Sequence, residues 1–158
     1  GQDPPWLESL IERLSRLDFI KEVIVICDNY EISEEISLNQ KVGRFTKGDN
    51  PWRHLDNINA FIGGDGIMIA EAIALCIPTI SLSNRVNSKK NIDFVGLNML
   101  HIITEEETYF DDITLFLKNS QQMRCMHETL YDYFQINRSN TLSKRILQII
   151  GKHHGTKN

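Results

Sequence analysis

Apolar positions recur along this chain in two rhythms, and each rhythm predicts a different element. Leu7, Leu10, Ile11 and Leu14 return at helical spacing, which predicts a helix reaching about Leu17. Asp3 stands at its N-cap, and Pro4 and Pro5 fit a first turn whose N–H groups have no intrahelical partner. The run EVIVIC (Glu22 to Cys27) is short, β-branched and apolar on both faces, so a buried strand is expected. A polar, acidic stretch from Asp28 to Asn39 predicts loop with at most a short helix, and KVGRF (Lys41 to Phe45) predicts a second strand. Asp49 is expected to cap a helical turn holding Trp52 and Leu55, before a third strand over Ile58 to Ile62.

The densest information lies in FIGGDGIMIAEAIALCIPTISL, Phe61 to Leu82. An apolar strand runs into a Gly-rich turn, and a helix follows to about Cys76 with Ile67, Ala70, Ile73 and Ala74 expected inward. Pro78 ends the helix and opens the strand PTISL. Glycines between a strand and a helix let backbone N–H groups face a ligand, and a helix start favours anionic groups. That combination suits a phosphate or a pyrophosphate, and Glu71 lies close enough to the helix start to reach an adjoining sugar hydroxyl.

Downstream, a helix from about Asn87 to Val95 is expected to end at Gly96 as the residue beyond the cap, followed by a strand over Met99 to Ile103. Helices near Phe110–Lys118, Gln121–Phe134 and Thr141–Ile150 close the chain, and Gly151 to Asn158 reads as a polar tail. Strands alternating with helices over short connections imply an α/β, Rossmann-like, three-layer domain over residues 1–150, with a parallel sheet and helices on both faces. In such sheets ligands bind beyond the carboxyl ends of the strands. Gly1 opens the chain in a turn before a helix with no strand ahead of it, so the first strand is expected to be missing and the chain to be a piece of a longer protein.

Composition narrows the partners. Of 158 residues, 41% are apolar and 24% charged, as in a folded domain with a substantial core. Lys and Arg total 17 against 21 Asp and Glu, a formal charge of −4, which gives nucleic acid no general basic surface. The three cysteines lie far apart without a short-spaced pair, which disfavours a disulfide framework or a zinc site and suits a reducing, cytoplasmic setting. No apolar run has the roughly 18 residues of a membrane span, and neither a metal nor a cofactor is expected.

The order G-x-D-P before the opening helix, then K-V-G-R-F-T, then N-I-N-A-F-I-G-G-D-G-I-M-I-A-E-A-I-A-L-C-I-P-T-I resembles the C-terminal domain of GT-B-type nucleotide-sugar enzymes. It is similar to the UDP-sugar hydrolases of pseudaminic acid biosynthesis and, more distantly, to the MurG-type N-acetylglucosaminyltransferases. The late T-L-S-K-R-I-L-Q-I-I resembles the closing helix of the hydrolase group. The resemblance implies a UDP-sugar-binding half of a glycosyltransferase or UDP-sugar hydrolase of bacterial surface glycan biosynthesis. The catalytic group would come from an N-terminal domain or a partner chain. It implies that Gly63, Gly64, Asp65 and Gly66 face the diphosphate, that Glu71 binds the ribose, and that backbone near Phe45 and Thr46 meets the base. Gly1 and Asp3 would lie at the cleft, with Asn84 and Arg85 on the phosphate side.

Each of these residues also has a plainer reading. Glu71 can be a helix-surface acid, Asp65 and Asp3 helix caps, and Arg85 with Lys89 and Lys90 a solvated charge run. His101 reads as a hydrogen-bonded core side chain. The alternative function is therefore a non-catalytic Rossmann-like interaction module that has lost the donor site.

Overall fold

The computed structural model describes residues 6–26, 33–45, 50, 52–53, 58–64, 66–82 and 95–136. The chain divides into two compact units, Gly1–Leu55 and Asp56–Asn158, and the described strands of both pair in parallel. The fold class is α/β, as the alternation of strand and helix patterns requires, and is compatible with a Rossmann-like domain.

In the first unit, helix α1 (Leu7–Ser15) is followed by β1 (Val23–Ile26), α2 (Glu34–Ser37) and β2 (Val42–Phe45). Leu10, Ile11 and Leu14 are buried on α1, so the predicted apolar stripe is the one turned inward. Ile11, Val25 and Ile36 make a small core against which Leu7, Val23 and Val42 pack. β1 and β2 run parallel, Val23 opposite Val42 and Ile26 opposite Phe45, joined through α2. Asn39 ties the unit together: its Nδ2 donates to Ser15 Oγ at 3.0 Å, and its Oδ1 accepts from the Lys41 amide at 3.0 Å. Ser15 passes its own hydroxyl hydrogen to Glu12 O at 2.7 Å, so this buried oxygen has both a donor and an acceptor at hand. Before the buried Trp52, Asn50 Oδ1 accepts from the Trp52 amide at 3.0 Å. The cap expected from Asp49 lies outside the described residues.

In the second unit, β3 (Phe61–Gly63), α3 (Ile67–Ala74), β4 (Thr79–Leu82) and β5 (His101–Ile103) precede a 3-10 turn (Glu106–Thr108) and two helices, α4 (Tyr109–Lys118) and α5 (Ser120–Ile136). The strand order is β3-β4-β5, all parallel, with Gly63 opposite Ser81 and Leu82 opposite Ile103. All four residues of the central strand β4 are buried, which accounts for its unbroken run of small and apolar side chains. Its Thr79 hydroxyl donates to Ile77 O at 2.7 Å, so that polar atom is satisfied inside the core.

Two helix ends in this unit are built differently from expectation. The helix after the glycine turn stops at Ala74, and Cys76, with φ 61°, takes the left-handed position beyond the cap. The Cys76 amide donates to Ile73 O and the Ile77 amide to Ala72 O, both at 3.0 Å, a Schellman closure usually reserved for glycine. Gly96 was the expected left-handed residue of the next helix end, but that conformation belongs to Asn98, with φ 57°. Asparagine tolerates it because its short amide bonds locally. Between the last two described helices, Asn119 has two functions. Its amide reaches Phe116 O at 3.1 Å, while its Oδ1 caps the Gln122 amide at 3.0 Å, so one residue ends α4 and starts α5.

Three further expectations shift. The third strand starts at Phe61 rather than Ile58, because pairing with β4 begins where Phe61 meets Thr79. The next strand starts at His101 rather than Met99, although Met99 and Leu100 are fully buried ahead of it. Ile67, expected inward, is 48% exposed at the first position of α3, where the helix has only begun to approach the sheet. The expected helices over 87–94 and 141–150, and the tail, lie outside the described residues.

Candidate functional site

At the carboxyl end of β3 the chain turns through Gly63 and Gly64 to Gly66 and enters α3. The three glycines have different physical reasons for being there. A Cβ on Gly63 would stand 2.8 Å from Phe61 Cε1 and 3.5 Å from Ile69 Cδ1, so glycine lets the Phe61 ring lie across the strand under α3. Among the described residues, chain neighbours apart, no atom lies within 4 Å of where a Cβ on Gly64 or Gly66 would be. Neither has the positive φ that would require glycine, and Gly66 is extended at φ −79° and ψ 175°. Neither backbone conformation nor packing against the described residues accounts for these two glycines.

Gly66 is the N-cap of α3 and has no side chain with which to cap it. The first turn contains no acid, so its outward N–H groups and the positive end of the helix dipole meet no carboxylate from within that turn. This geometry favours an anion. Asp65, expected beside Gly64 in the same turn, lies outside the described residues.

Glu71 is the fifth residue of α3 and is only 1% exposed. The helix-surface reading of this acid is thereby overturned. At about 100° per residue, Glu71 stands about 200° around the helix from Ile69, whose side chain meets the sheet at Gly63. The carboxylate thus points away from the strands yet is buried, as Ala74 is on the same side of the helix. α3 is covered on both sides, which fits the apolar residues all around it. A carboxylate at that depth has to be matched by polar groups to be tolerated.

Sequence reasoning passed over Ser81. In the parallel register it stands beside Gly63, so its side chain shares the sheet face that α3 covers, near the carboxyl end of the central strand. It is fully buried. The signal available was its place two residues after Thr79 in a strand otherwise fit for the core. Of the remaining expected site residues, Phe45 closes β2 in the first unit, where its backbone pairs with Ile26. Thr46, Gly1, Asp3, Asn84 and Arg85 lie outside the described residues. The structure therefore brings Gly63, Gly64, Gly66 and Glu71 onto one strand–turn–helix.

The other titratable candidates sit elsewhere in the second unit. His127 Nδ1 lies 2.8 Å from Cys76 O, linking α5 to the left-handed end of α3. Burial pushes the Cys76 thiol up from its ordinary value, which suppresses the thiolate and any nucleophilic role. His101 is half-buried and stacks on Phe116 with ring centroids 4.9 Å apart, in place of the hydrogen-bonded core setting expected for it. Among the described residues no group of three or more His, Cys, Asp or Glu is placed to hold a metal ion, and no helix is long and apolar enough to cross a membrane.

No protein-family model matches this chain, and neither the curated proteins nor the solved structures include a significant match to it.

Proposed function

We propose that this chain is the nucleotide-sugar-binding domain of a GT-B-like glycosyltransferase or UDP-sugar hydrolase. One observation carries the reading. Gly64 and Gly66 stand at a helix start whose N-cap has no side chain, at the carboxyl end of a parallel strand, where neither backbone conformation nor packing against the described residues asks for glycine. A diphosphate fits this place because backbone N–H groups donate to its oxygens without the desolvation cost of a buried cation. In a transfer or hydrolysis reaction the same groups would stabilise the charge that develops on the leaving nucleotide. The catalytic base would come from another domain or a partner chain, in a cytoplasmic enzyme of bacterial surface glycan biosynthesis.

Glu71 is the proposed ribose anchor, a carboxylate able to accept from two vicinal hydroxyls. Its side chain is buried, so the sugar reaches it only after the site opens, and part of the binding free energy offsets that opening. Isothermal titration calorimetry with UDP and UDP-N-acetylhexosamines tests the reading. Heat of binding is expected for the wild-type chain, with affinity about tenfold weaker for Glu71→Gln, which keeps the side chain's volume while removing its charge. A well-folded protein giving no heat at millimolar nucleotide, or unchanged affinity in Glu71→Gln, defeats it.

The same burial of Glu71 favours a second reading, an interaction module whose donor site has closed. That reading expects no nucleotide heat and a Glu71→Leu variant as stable as wild type or more so, since an apolar isostere then removes a costly buried charge.

A further inference from the structure

No further inference is drawn: the strongest candidate, the buried Glu71 and Ser81 side chains on either side of α3 beside the open Gly64–Gly66 turn, belongs to the site already described.

Discussion

Both units contain a strand–helix–strand crossover with parallel strands, β1-α2-β2 in the first and β3-α3-β4 in the second, and the two differ in how the helix is held. The helix of the first crossover has four residues, of which only Ile36 is buried, and its Glu34 and Glu35 are exposed. The helix of the second is twice as long, buries Ile69, Glu71, Ala72, Ile73 and Ala74, and is entered through glycines. The first crossover is a connector whose cohesion comes from Asn39 and a three-residue core. The second is anchored on two sides, so its N-terminal turn is held in place by side chains that need not touch a ligand. A binding turn requires such a rigid support, because backbone donors must be positioned before the ligand arrives.

The largest test of that contrast is truncation at the anchor of each helix. Ile73→Ala removes a side chain with no exposed surface and is expected to cost about 3 to 4 kcal/mol, near the upper part of the range for buried isoleucine. Ile36→Ala should cost about 2 kcal/mol, because a short exposed helix relaxes into the space more easily. Urea unfolding of the two variants measures both values. Equal costs would remove the claim that the second crossover is the more firmly held.

Next in size is a comparison among the glycines. Gly63→Ala forces the Phe61 ring or Ile69 to move, and about 1 to 3 kcal/mol of destabilisation is expected. Gly64→Ala meets open space and should change stability by less than about 0.5 kcal/mol. Gly66→Ser supplies the missing cap and should stabilise by a few tenths of a kcal/mol, about the ordinary difference between the two residues at an N-cap. If the open space belongs to a phosphate, Gly64→Ala weakens UDP binding while the fold keeps its stability. That separation of affinity from stability is what distinguishes a binding turn from a packing turn.

Much of this arrangement was legible along the chain, for reasons that vary with the residue. The stripe Leu7, Leu10, Ile11, Leu14 announced α1, and the apolar run ending at Pro78 announced the boundary between α3 and β4. Strand ends were less legible, because Phe61 and His101 begin their strands only where a neighbour pairs with them. The left-handed Cys76 carried no signal, since its conformation is set by the Schellman closure and not by its side chain. Glu71 was misjudged as able to sit on the surface, although IMIA before it and AIAL after it leave no polar face for a solvated acid. The link from His127 to Cys76 joins positions far apart in sequence, and no local pattern announces it.

A smaller effect probes the helical end of the second unit. Asn119→Ala removes the Oδ1 cap on the Gln122 amide and should cost about 1 kcal/mol. Amide hydrogen exchange locates the loss: protection should fall first at the start of α5, while β1 and β2 keep theirs. Equal loss in both units would show that their stabilities are coupled.

The smallest expected effect is a pH dependence arising at His101 in the second unit. The described part of the first unit contains no histidine, whereas in the second His101 stacks on Phe116 and burial pushes its pKa below the ordinary 6.5. Asp112 works in the opposite direction, favouring the imidazolium, but desolvation is the larger influence. The folded chain therefore binds the His101 proton less readily than the unfolded chain does. This contribution to stability is fully present above the unfolded value of 6.5 and is lost as pH falls through it toward the lowered folded value. Urea midpoints should thus decline between pH 7 and 5, and His101→Phe, which retains an aromatic stack while removing the titration, should flatten that decline. Intrinsic amide exchange slows on acidification, and exchange at the β5 amides should slow by less than the intrinsic rate does, because the free energy of opening falls as His101 is protonated. A His101→Phe variant with the same pH slope as wild type would place the titrating group elsewhere and overturn the assignment to β5.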